Sequence, residues 1–265
     1  MRYRFFLYGQ LLKRDIESRY RGSMLGLAWP LLQPLSQLAV FTLIFFEFMQ
    51  FRWPMTTGQS GQSAWDYAAQ VLAGLAAFNF FAELLNRSPS SISSQSNFVT
   101  KLRFPLALLP AVNFGSAMLH LFTATLVLTL YQALTLGLSL DMLIRLGCLP
   151  VLMAPFVIYG LGLSLILSGL GVYFRDLQQV MPAITSLLMF LSPIFYPASA
   201  VPHALRPWFE FNPIGAAAEA MRYALLPSSH FQVDSWLWHG LSSLVFIAFS
   251  VLLFRRIRPG FADVL

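Results

Sequence analysis

The chain has 265 residues, 57% of them hydrophobic and 11% charged, with a net charge of +6. Soluble domains carry roughly 25% charged residues, and several apolar runs here reach the roughly 20 residues that cross a bilayer as a helix. An ordinary soluble enzyme is therefore excluded, and so are barrel strands, which alternate over only about ten residues.

In chain order, residues 2–21 predict an amphipathic helix lying on the membrane surface. Phe5, Tyr8, Leu12 and Ile16 recur at spacings of three and four on one face, and Gln10, Arg14, Glu17 and Arg21 on another. Six of the nine residues from Lys13 to Arg21 are charged, and Asp15 with Arg19 and Glu17 with Arg21 form i,i+4 pairs. Such a helix buries its apolar face at the headgroup boundary while its cations meet anionic lipid. No short apolar core with a small-residue cleavage site occurs in this stretch, so no cleaved signal peptide is expected.

Six crossings are predicted, over about 29–48, 64–85, 106–136, 143–172, 180–195 and 236–254. The fourth is long enough to tilt or project. The fifth is short, closed by Pro193 and Pro197, and the last stops at Arg255, Arg256 and Arg258. With the amino terminus inside, thirteen of the seventeen Lys and Arg residues fall on cytoplasmic pieces. Only Arg52, Arg145, Arg206 and Arg222 fall outside. This asymmetry is the positive-inside pattern, and it explains the basic charge without nucleic acid.

Two connections are unusual. The cytoplasmic one, 86–105 (NRSPSSISSQSNFVTKLRFP), is serine-rich, and Ser88-Pro89 suits the start of a short helix ending before Pro105. The outer one, 192–228, contains Pro193, Pro197, Pro202, Pro207 and Pro213 yet stays apolar. Short helices dipping into the outer leaflet are expected there, with irregular backbone sheltered by protein or facing water.

Several chemistries are missing. No G-x-x-x-x-G-K-[ST] loop occurs, and neither of the two lysines follows a glycine-rich loop. His120, His203, His230 and His239 show no metal-ligand spacing, and no paired carboxylates suited to acid–base catalysis are present. Catalytic and metal-binding residues are accordingly none. Cys148 is the single cysteine, so no intrachain disulfide forms. Glu47 and Glu83 approach the ends of the first two crossings and read as structural or interfacial. Asn113 and His120, two turns apart, share a face that suits helix packing or a lumen equally. Glu219 and Arg222, at i,i+3, read as stabilising a short outer helix.

RDIESRYRGSMLGLAWPLLQPL at 14–35, YFRDL at 173–177, SPIFYPASAVP at 192–202 and FNPIGAAAEAMRYALL at 211–226 occur in that order. Together they resemble the membrane (permease) subunits of type-2 ABC exporters of polysaccharides and polyol phosphates, which export O-antigen, capsule or teichoic acid. The resemblance implies a single transmembrane domain over 1–265: an all-α polytopic protein with six transmembrane helices. It carries an amphipathic gate helix at 1–22, a coupling helix within 86–105 and outer re-entrant helices at 192–228.

It further implies a homodimer with its channel at the interface, paired with two copies of an ATP-binding subunit. ATP and magnesium belong to that partner, and this chain needs no cofactor of its own. The partners are a lipid-linked polysaccharide and membrane lipid, not nucleic acid, in a bacterial cytoplasmic (inner) membrane with both termini inside. Positions carried over are Ser90, Ser94, Asn97, Lys101, Arg103, Arg175 and Asp176 for coupling to the ATPase. Arg175 and Asp176 serve equally well to hold the fourth and fifth segments together. Arg14, Arg19, Arg21 and Trp29 are assigned to the substrate entrance, and Tyr196, Trp208 and Phe209 to the outer gate. The competing readings are a drug or lipid exporter of the same kind and an ion-coupled secondary transporter. The latter calls for midplane carboxylates, for which Glu47 and Glu83 are poorly placed.

Overall fold

A computed structural model describes residues 2–21, 23–24, 26–48, 50, 64–95, 98, 104–135, 137, 139–226 and 231–265. Among these every regular element is helical. In order they are α1 (Arg2–Tyr20), α2 (Trp29–Thr42, continued by a π-helical turn Leu43–Phe48), α3 (Ala64–Arg87) and α4 (Leu108–Thr135). Then come α5 (Leu140–Tyr173), α6 (Leu177–Leu191), α7 (Arg206–Glu210), α8 (Pro213–Leu225), α9 (Val233–Ile257) and α10 (Phe261–Val264).

Five of the helical stretches are long and apolar enough to cross a membrane, matching five of the six predicted crossings. The short one, α6, has 15 residues, or about 22 Å at 1.5 Å each, less than the roughly 30 Å of hydrocarbon. It spans Leu177–Leu191 rather than 180–195, because the chain turns extended at Ser192 ahead of Pro193. At 34 residues, α5 measures about 51 Å and outruns the bilayer. Its first turn is capped by the Ser139 hydroxyl, which accepts from Met142 N–H at 3.2 Å.

The centre of the molecule is α3. Its small residues Ala68, Ala69, Ala73, Gly74, Ala76 and Ala77 are all buried, which lets neighbouring backbones approach closely. The packing is therefore set by shape rather than by a single apolar stripe. Against α3 lie α2, α4, α6 and the buried face of α8, formed by Ile214, Ala217, Ala218 and Met221. Outward-facing residues on α9, such as Leu241, Val245 and Leu252, stay exposed, as a lipid-facing helix requires.

From the last turn of α6 onward the carbonyls lack helical partners, and side chains supply most of the donors. Tyr196 O–H donates to Phe190 O at 2.8 Å, Asn212 Nδ2 to Leu191 O at 3.3 Å, and Ile194 N–H to Ser192 O at 2.7 Å. Arg222 donates to Pro193 O at 2.9 Å and Ile194 O at 2.8 Å, and Tyr67 to Phe195 O at 2.8 Å. Six consecutive carbonyls are thereby satisfied, which permits irregular backbone at this depth. The rings of Phe41 and Phe45 on α2 close over Phe195, with centroids 4.5 and 4.9 Å away.

Candidate functional site

The amino-terminal helix does not simply float on a membrane surface. Tyr8 and Leu12 press on Gly115 of α4, where an added Cβ would meet the Leu12 methyls at 3.1 and 3.2 Å and collide with the Tyr8 hydroxyl. Burial pushes the Tyr8 phenol up, so it stays a neutral hydroxyl. Phe5 and Phe6 remain exposed, available to lipid.

One turn beyond Leu12 the packing becomes electrostatic. Arg87, at the end of α3, donates to both carboxylate oxygens of Asp15, at 2.8 and 3.2 Å. Arg19 donates to the same carboxylate at 3.1 Å, and the Ser116 hydroxyl of α4 does so at 2.7 Å. Glu83, one turn back on α3, receives Arg19 at 2.7 Å and Arg87 at 2.9 Å, with His120 Nε2 at 3.7 Å from its second oxygen. Asp15, Arg19 and Glu83 are each about one-fifth exposed, so this is a largely desolvated cluster joining α1, α3 and α4. Two carboxylates are answered by two guanidiniums, which balances the charge of this partly buried cluster.

The entrance cations therefore divide. Arg19 is consumed by the cluster, whereas Arg14, Arg21 and Trp29 are exposed beside it. Glu17 pairs with Lys13 at 3.7 Å on the exposed side of α1. The structural reading of Glu83 fits this geometry, and Glu47 sits exposed at the end of α2. Asn113 and His120 line the same helix, with Asn113 buried.

A second construction ties the serine-rich turns after α3 to α5. A proline-assisted 3-10 turn forms at Ser88–Ser90 and a second 3-10 turn at Ser93–Gln95. Of the remainder of the short helix expected before Pro105, Phe98 is helical, and 96–97 and 99–103 lie outside the described residues. The Ser91 and Ser168 hydroxyls lie 2.7 Å apart, and those of Ser88 and Ser164 3.2 Å apart. Ser164 also donates to Pro110 O of α4 at 2.9 Å. Gly171 allows the closest approach: a Cβ there would run into the Pro89 carbonyl. Ser88, Ser91 and Ile92 are buried, while Ser90 is half-buried and Ser94 exposed.

Of the other expected coupling positions, Arg175 and Asp176 lie exposed in the turn between α5 and α6. Gln178, just past them, reaches Ser93 at 3.4 Å. Asn97, Lys101 and Arg103 fall outside the described residues.

On the opposite side, the expected gate aromatics separate. Tyr196 and Phe209 face each other with ring centroids 6.4 Å apart, and Trp208 points outward at 77% exposure. The residue that organises this region is Arg222. Completely buried, it pairs with Glu219 at 2.8 Å and donates to Gln70 O at 3.1 Å besides the two carbonyls already described. The Glu219–Arg222 spacing pointed to the pair, but nothing local in sequence points to the carbonyls.

The arrangement thus has a charged clasp and a basic rim at one end, a hydrogen-bonded turn beside them, and a guanidinium hub at the other. Known proteins of similar sequence share this extent. The chain is 28% identical over 193 residues to the O-antigen export system permease protein RfbA of Myxococcus xanthus, covering 72% of this chain and 68% of that one. With the protein of the same name from Klebsiella pneumoniae it is 23% identical over 264 residues, 99% of this chain and 96% of the relative. The polysialic acid transport protein KpsM of Escherichia coli is 25% identical over 256 residues, 92% and 91% of the two chains. The profile of the ABC-2 type transporters matches residues 7–226, and on that match this multi-pass helical membrane protein belongs to the ABC-2 type transporter family.

Proposed function

We propose that the chain is the transmembrane subunit of an ATP-driven exporter that moves a lipid-linked polysaccharide across the cytoplasmic membrane. The observation that carries this reading is the end-to-end likeness to a permease named for O-antigen export, over 99% of the chain. Two copies form the channel between them, and two ATP-binding subunits supply the energy on the cytoplasmic side, where both termini lie. No nucleotide, metal or other cofactor is assigned to this chain. The sixth crossing is α6 together with the bent stretch Ser192–Tyr196 that follows it, α6 alone reaching about 22 Å of the roughly 30 Å of hydrocarbon.

The mechanism follows from what is joined to what. The ATPase pushes on 86–105 together with Arg175 and Asp176, and the serine contacts pass that motion directly into α5. The clasp of Asp15, Arg19, Glu83 and Arg87 holds α1 as a gate, leaving Arg14 and Arg21 to attract the diphosphate of the incoming lipid carrier. Tyr196, Trp208 and Phe209 stand at the exit. An ion-coupled transporter is disfavoured because Glu83 is already committed to two guanidiniums.

The test is reconstitution. Purified with its partner ATPase in liposomes, the complex should move lipid-linked glycan only with ATP, and Arg14→Gln with Arg21→Gln should slow it severalfold. Glycan transport by this chain without any ATPase, or transport indifferent to ATP, overturns the proposal.

A further inference from the structure

Between the outer loops and the start of α9 lies a hollow of about 400 Å³, within the range of small-ligand pockets at roughly 300–1,000 Å³. Its position is unexpected for a connection so apolar in sequence. Arg206, Glu210, Glu219 and Arg222, the four charged residues between 192 and 226, all line this one space. Only Arg222 and Glu219 pair with each other. Arg222 is spent on Glu219 and on backbone carbonyls, Arg206 donates to Val201 O at 3.4 Å, and Glu210 remains exposed.

The other wall is aromatic. Phe209, Phe231 and Trp236 line it, with Phe156 behind them. The Trp236 ring is fixed in place because its Nε1–H donates to Leu152 O on α5 at 3.0 Å. Gln232 and Ser235 add an amide and a hydroxyl at the mouth.

This lining narrows the occupant. Two carboxylates and two guanidiniums leave no net charge, so neither a phosphate nor a polycation finds a counter-field. An acyl chain would strand the polar groups without partners. A neutral ring with hydroxyls on its edge and C–H groups on its face satisfies both walls. Its face lies on indole and phenyl, while its hydroxyls donate to carboxylate and accept from amide or guanidinium.

We propose that this hollow is a saccharide subsite on the outer face of each chain, taking one or two uncharged sugar residues of the departing glycan. The proposal rests on the polysaccharide-export reading above and adds to it a preference for neutral, hydroxyl-rich sugars at the exit. Occupancy there opposes backsliding of the chain while the channel resets.

The test uses the assembled complex in nanodiscs and three probes: the methyl glycosides of mannose, galactose and N-acetylglucosamine. Binding is read by saturation-transfer NMR and tryptophan fluorescence. At least one glycoside should bind saturably, Glu210→Gln should weaken it about tenfold, and Trp236→Phe should abolish the fluorescence change. Gln232→Ala, at an exposed position, serves as a second variant, and unchanged melting temperatures certify the folds. The proposal is overturned by no saturable glycoside binding, by binding insensitive to all three variants, or by methyl phosphate competing for the site. Glycan export by cells is scored in parallel. Export without glycoside binding removes only the subsite, whereas absence of glycan export by the unmodified protein removes the reading beneath it as well.

Discussion

Arginine is held at both ends of this molecule, by opposite means. At one end Arg19 and Arg87 are answered by two side-chain carboxylates and a hydroxyl drawn from three helices. At the other end Arg222 is answered mainly by backbone: three carbonyls from α3 and from the stretch after α6, plus Glu219. Carbonyls are held where the fold holds them, whereas side-chain ion pairs can be traded one for another without unravelling a helix. The Arg222 hub therefore reads as a fixed support, and the α1 cluster as the set of contacts that exchange more readily. On the export reading proposed above, that division suits an α1 that acts as a gate.

The sharpest way to break this comparison is to remove both anchors in turn. Arg222→Ala leaves three carbonyls unanswered in a buried site and should cost about 3–5 kcal/mol, enough to abolish recovery of folded protein from the membrane. Arg222→Lys, which keeps the charge but not the fork, should recover only part of the loss. Asp15→Ala leaves Arg19 and Arg87 facing each other but partly hydrated, and should cost about 2–3 kcal/mol. Its signature is local: amide exchange rises over Arg2–Tyr20 while the rest of the chain stays protected. Equal, global destabilisation by both substitutions would erase the distinction between support and clasp.

The two ends also differ in how far they could be read from sequence. Long helices were legible because apolar run length is a local property; α5 begins three residues before its expected start and ends one beyond it. The Asp15–Arg19 half of the clasp was legible too, from its i,i+4 spacing. Arg87 was not, since it lies 72 residues from Asp15, and its contact depends on how α1 leans against α3 and α4. The same limit applies more strongly to Arg222. Its cationic side chain read as an outer-face charge, and only tertiary structure brings Gln70 and Pro193 to it. Glu17 shows the reverse: its i,i+4 spacing was read as a pair with Arg21, and it lies with Lys13 instead. Asn97, Lys101 and Arg103, expected in the coupling helix, lie outside the described residues.

A middle-sized effect tests whether the clasp's neighbour transmits force. In Gly171→Ala the new methyl meets the Pro89 carbonyl, so the Ser88–Ser90 turn must shift away from α5. Overpacking of this kind costs about 1–3 kcal/mol, which a long, well-packed helix survives. Folding should therefore persist while the coupling is damaged. The expected result is near-normal ATP hydrolysis by the complex with transport per ATP reduced severalfold. Normal transport stoichiometry would show that the serine-lined contact between this turn and α5 is packing alone.

The smallest expected effect guards against crediting every ion pair on α1 to the clasp. Lys13 and Glu17 sit 3.7 Å apart, but their side chains are 71% and 61% exposed, on the face away from α3 and α4. Exposed i,i+4 pairs contribute about 0.3–0.5 kcal/mol and are screened further by salt. Lys13→Gln should thus leave melting temperature, amide exchange over α1 and transport all close to those of the unmodified protein. A loss approaching that of Asp15→Ala would mean that Lys13 acts through something other than Glu17, with lipid phosphate the nearest anion to a cation on that face. Repeating the measurement in vesicles of uncharged lipid separates the two, because a contact with lipid disappears there and an internal one does not.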